Sequence, residues 1–114
     1  MISAKIFKNN GQTYKIIVSG HSGYAEEGSD IVCASISTLA QTVCVGLENV
    51  LKLKPITKIS DGYLECQLTD DIINNNNQNV QIIFDTFEST INLLLESDKT
   101  LNKYVNLEVK NEIY

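Results

Sequence analysis

A chain of 114 residues with 43% hydrophobic content suits one domain spanning 1–114, because two would each fall near the size where a single core becomes marginal. The net charge is −5 and the pI near 4.7, and all nine cations are lysine. That leaves no basic field for a phosphate backbone and argues against direct nucleic-acid recognition. The first residues, Met1-Ile2-Ser3-Ala4-Lys5, carry no leader pattern, and no apolar run reads as membrane-spanning, so the expectation is a soluble cytoplasmic protein without a membrane partner.

Ile2, Ala4 and Ile6 alternate with polar residues, as do Tyr14, Ile16 and Val18, around the turn signal Asn9-Asn10-Gly11, which predicts a β-hairpin. A glycine-rich loop over 20–29 follows, with Gly20, Gly23 and Gly28, and is expected to be mobile. From Ile31 to about Lys52, Ile36, Leu39, Ala40, Val43, Leu47, Val50 and Leu51 recur at steps of three and four. This predicts a long amphipathic helix stopped before Pro55. Ile56–Ser60 and Tyr63–Leu68 flank Asp61-Gly62 as a second hairpin, with Leu64, Cys66 and Leu68 on one face. The polar stretch from Asn74 to Gln78 reads as a loop, followed by a second helical pattern from Val80 to about Ser97. Val105, Leu107 and Val109 then alternate as a closing strand. The order β-β-α-β-β-α-β implies an α+β domain, an antiparallel or mixed sheet covered on one or both faces by two amphipathic helices.

Three cysteines cannot all pair within one chain, and with a single histidine their spacings of eleven and twenty-two match no zinc pattern, so neither a metal nor another cofactor is expected. On one helix, Cys33 and Cys44 would stand about 16 Å apart, too far for a disulfide. Free thiols in a reducing compartment fit best.

His21, the only histidine, opens the glycine-rich loop, and Cys33 closes it where the first helix begins. A helix amino terminus favours the thiolate, and an imidazole within reach could take the thiol proton and return it to a leaving amine. Asp30 reads as the helix cap that fixes the thiol, or as a group that orients His21. Ser37 stands one turn beyond Cys33 on the same face. Backbone amides at the helix start are the natural oxyanion donors.

Plainer readings stand beside these. A lone cysteine is more often buried without a role, and Cys44 and Cys66 read as core thiols. Asp30 and Ser37 also fit a simple cap and a polar helix residue, and Glu26 and Glu27 a solvated loop face. The glycines make no phosphate loop, because no lysine follows them at the helix start.

Gly20-His21-Ser22, then Gly28-Ser29-Asp30-Ile31-Val32-Cys33-Ala34 with Ser37 and Leu39, closely resembles the ribosomal-processing cysteine protease family called Prp. The motif covers about twenty residues, and length, acidic balance and element order agree over the whole chain. The resemblance implies that His21 and Cys33 form the catalytic pair and that the glycine-rich segment lies over the site. It also implies the partner and reaction: removal of the amino-terminal leader from the precursor of the twenty-seventh large-subunit ribosomal protein, with cleavage after an aromatic pair, by a homodimer. Tyr24, in the loop, is a candidate to cover an aromatic residue of that leader. Ser22 and Ser35 depart from the small apolar residues usual in the family, and neither removes a catalytic group.

Two other functions are compatible with the residues. A non-catalytic, ribosome-associated peptide-binding protein would keep the fold and use the loop as a clamp without needing the thiol. A thiol redox enzyme is disfavoured, since no second cysteine stands near Cys33 in a C-x-x-C arrangement.

Overall fold

The computed structural model describes residues 1–20 and 29–112, Ser29 and Asp30 through their backbone alone. In chain order the elements are β1 (Ile2–Asn9), β2 (Gln12–Ser19), α1 (Ser29–Val45), β3 (Ile56–Ser60), β4 (Tyr63–Gln67), α2 (Asp70–Ser97) and β5 (Val105–Glu112). A π-type turn over Gly46–Val50 extends α1, and a 3-10 turn over Lys99–Lys103 leads into β5. The order expected from hydrophobic periodicity is therefore the order observed.

Local chemistry accounts for the hairpins. Asn10 and Gly11 both take positive φ, 52° and 82°, the geometry a two-residue turn needs to match strand twist. In the second hairpin Gly62 alone does so, at 70°. The sheet order is β3-β4-β2-β1-β5, antiparallel except for the parallel pair of β1 with β5. Register sets Ala4 beside Val18, Ile6 beside Ile16, Ile16 beside Cys66 and Ile2 beside Val105, so these side chains share one face. They join Ile36, Ala40, Val43 and Leu47 of the first helix and Ile72, Val80, Phe84, Phe87 and Ile91 of α2 in a single core.

Both helices thus pack on one face of the sheet, a choice the sequence left open. The other face is mixed: Lys15 Nζ lies 4.5 Å from the centre of the Phe7 ring, and Lys58 Nζ is 3.8 Å from Glu65 Oε2. Glu65 is buried there, against the alternation that would expose it, because the Tyr63 hydroxyl donates to it at 2.5 Å.

Two expectations need correction. The Asn74–Gln78 stretch is no loop: α2 already starts at Asp70, and only Asn76 leaves helical geometry, at φ −136° and ψ 16°. Three contacts outweigh the weak propensity of the asparagine run. Thr69 caps the helix by accepting from the Ile72 amide at 3.3 Å, Asp70 and Asp71 favour its positive end, and Ile72 is buried. Beyond the kink, the Gln81 side chain accepts from Thr13 N at 2.9 Å and donates to Thr13 O at 2.6 Å, tying α2 to β2. Thr69→Ala is expected to cost about 1 kcal/mol, read as a lower urea midpoint at unchanged slope.

The second correction concerns apolar length. The helical stretch Ile31–Val50 is long and apolar enough to span a bilayer by length and composition, contrary to the sequence reading. Its apolar stripe, Ile36, Ala40, Val43 and Leu47, faces the core.

Candidate active site

Because α1 starts at Ser29, Asp30 occupies the second helical position instead of the cap. Its side chain, like His21, Gly23, Tyr24 and Gly28, lies outside the described residues. Cys33 is the fifth residue of the helix, one turn in from its start. It therefore stands past the amides that a helix leaves open.

The Cys33 side chain is half-buried and packs on the margin of the core, so it is held in place yet reachable. Ser37, one turn further, lines a hollow of about 170 Å³. The opposite wall is the β3–β4 turn, Ser60 to Tyr63, and the floor includes Val18 and Leu64. Gly20 lines it too. The same small hollow is thus bounded by the residue preceding His21 and by the residue one turn past Cys33.

Gly20 is fixed on both sides. Its amide donates to the Gly62 carbonyl at 2.9 Å, and its φ of +118° suits glycine alone. A Cβ at this position would fall inside the van der Waals shell of the Met1 carbonyl oxygen. The backbone from which His21 departs is therefore wedged between β1 and the second hairpin. On the other face of the sheet, the hydrogen bond to Glu65 and then burial raise the Tyr63 phenol above its ordinary value.

Cys44 and Cys66 sit in the core at 7% and 0% exposure. A hydrogen bond with Cys44, followed by burial, pushes the Cys66 thiol well above its ordinary range, which keeps it protonated. Brief treatment of the folded protein with iodoacetamide is expected to add one label, at Cys33, and treatment in urea three, counted by intact mass. Among the described residues, no group of three His, Cys, Asp or Glu side chains could hold a metal.

The sequence reading did not place Gln41, Tyr63 or the Asp61-Gly62 turn at the site, and all of them line the hollow. Gln41 could have been found, since it continues the Cys33-Ser37 row by one more turn. The hairpin could not, because its place beside β2 depends on strand order.

The profile of the family described as cysteine protease Prp matches residues 1–106. Structural relatives agree along the whole fold. SMU.848 from Streptococcus mutans superposes with a TM-score of 0.78 at 27% identity, covering 98% of this chain and 96% of its own. The essential ribosomal processing protease Prp of Staphylococcus aureus, in complex with a covalently linked product peptide, gives 0.77 at 26% identity, with 96% of this chain and 100% of its own covered. The same protease with a substrate peptide gives 0.70 at 26% identity and the same coverage. No curated protein sequence matches. The fold and the profile define a cysteine protease. The chain belongs to the ribosomal-processing Prp family.

Proposed function

We propose that this protein is the endopeptidase that removes the amino-terminal leader from the precursor of the twenty-seventh large-subunit ribosomal protein, using Cys33 as nucleophile and His21 as base. The observation that supports the reading is the hollow lined by Gly20, which precedes His21 in the chain, and by Ser37, one helical turn past Cys33. His21 takes the thiol proton as sulfur attacks the scissile carbonyl, and the oxyanion meets amides of the first turn of α1. Collapse of the tetrahedral intermediate expels the amine, protonated by His21, and leaves a thioester on Cys33. The expelled amine is the mature amino terminus, and a water activated by His21 then hydrolyses the thioester to release the leader acid and restore the thiol. In the related S. aureus protease a product peptide is covalently linked, which supports a covalent route.

Asp30, near the start of α1, is assigned to orienting His21, and the Ser37 hydroxyl to holding the peptide backbone. Gly23, Tyr24 and Gly28 belong to the segment that covers the substrate. One domain, a cytoplasmic location and a homodimer complete the proposal. Ile82 and Leu93, exposed three turns apart on α2, are the apolar surface a second copy would cover. Sedimentation of the free protein reads the assembly directly.

The test is incubation with a peptide spanning the leader junction of the source organism's own precursor. One cleaved bond, located by mass spectrometry, is expected. Tight binding with no cleavage would replace the protease by the peptide clamp.

A further inference from the structure

The helix that carries Cys33 approaches β4 at two levels. Ser37 and Leu64 border the same hollow. About two helical turns beyond Ser37, the Cys44 side chain meets that of Cys66, which follows Leu64 by two residues on the same face of β4. Both are free thiols, and they share a hydrogen bond in which Cys66 donates and Cys44 accepts.

We propose that Cys44 and Cys66 form a redox modification site, closed into a disulfide by hydrogen peroxide and reopened by a thiol reductant, which staples α1 to β4 behind the candidate active site. The inference stands apart from the chemistry assigned to Cys33, whose place on α1 is about 16 Å from Cys44, too far to pair with it.

A disulfide needs two sulfurs on separate stretches of backbone that can close to about 2.0 Å. Thiols in hydrogen-bond contact already point at each other, and here one is carried by a helix and the other by a strand. Both belong to the single core, so packing holds the two elements in place while the side chains rotate. Cys66 is fully buried and Cys44 keeps 7% of its surface, which makes Cys44 the point where an oxidant as small as peroxide arrives. The hydrogen bond from Cys66 holds the Cys44 thiol below its ordinary value, against burial and the Glu48 carboxylate, and so favours Cys44 as the attacking thiolate.

The chemistry balances in two steps. The Cys44 sulfur attacks one peroxide oxygen: an S–O bond forms, the O–O bond breaks, and the hydroxide that leaves takes the Cys44 proton as water. The Cys66 sulfur then attacks the sulfenic sulfur of Cys44. The S–S bond forms, the S–O bond breaks, and the departing hydroxide takes the Cys66 proton as a second water. Two thiols are oxidised and one peroxide is reduced.

The test uses the Cys33→Ala chain, so that the half-buried thiol takes no part. Reduced protein unfolded in urea should take two iodoacetamide labels, protein first treated with peroxide in the folded state none, and the same sample after dithiothreitol two again. A tryptic pair of peptides linked through Cys44 and Cys66 should appear in the oxidised sample alone. The bond closes a loop of twenty-one intervening residues, which should raise the urea midpoint by about 1 M. With Cys44→Ala added, Cys66 should keep its label after peroxide and the midpoint should not rise. Two labels after peroxide, oxygen added beyond recovery by dithiothreitol, or cross-links only between chains would each overturn the site. So would an equal rise in midpoint in the Cys44→Ala protein. The label count and the linked peptides come from the unsubstituted pair, so they decide the matter even where the variant is less stable.

Discussion

Replacement of Cys33 by alanine is expected to lower kcat for the leader-junction peptide by about a thousandfold or more, with the folded protein otherwise unchanged. The side chain lies half-buried at the margin of the core, and alanine is the best helix former, so little is lost in packing or propensity. What disappears is the atom the proposal assigns to the covalent bond. Cys33→Ser tests the same point from the other side: a hydroxyl preserves size and polarity but is a far poorer nucleophile, so it should restore almost nothing. If His21 acts on the sulfur, His21→Ala should fall to a similar floor, and the double variant should be no worse than either single one, since groups that act as a unit are not additive. Circular dichroism and the urea midpoint of each variant separate lost chemistry from lost fold.

Gly20→Ala is expected to cost at least about 2 kcal/mol of stability, because it combines a strained backbone conformation with a steric clash, and to abolish cleavage as well. A φ of +118° lies where a side chain is not accepted, and the new Cβ would press on the Met1 carbonyl oxygen, which is backbone. Relief would require moving β1 or giving up the hydrogen bond from Gly20 to Gly62. Either change moves the point from which His21 departs. Gly11→Ala is the control: Gly11 also has positive φ, but nothing lies within 4 Å of its would-be Cβ, and it sits in the β1–β2 turn. It should lose stability without selective loss of activity.

The elements that sequence could show are those whose cause is local. Asn10-Gly11 makes its turn through two residues that tolerate positive φ, and strand and helix periodicity name most of the residues now found in the core. The asparagine run misled because propensity is local, while the contacts that overrule it are not: Gln81 reaches Thr13 across 68 positions of the chain. Helix over loop at 70–79 is a tertiary decision. The parallel pairing of β1 with β5 and the place of β4 beside β2 are equally long-range, and no alternation of residues encodes them.

The candidate site divides in the same way. The chemistry-bearing types, His21 and Cys33, stand twelve positions apart and could be named from the sequence. Their setting could not. The hollow beside Ser37 needs the β3–β4 turn as its wall. The helix starts at Ser29, two residues before the expected Ile31, since a cap at Asp30 and a start at Ser29 differ only in which backbone groups are already bonded.

The most direct measurement is the intact mass of the full-length ribosomal precursor after incubation with this protein and, in parallel, with Cys33→Ala. The account predicts a single new species lighter by one amino-terminal segment, formed by the parent and absent with the variant. A precursor left whole by the parent, or cut equally by both, would contradict it.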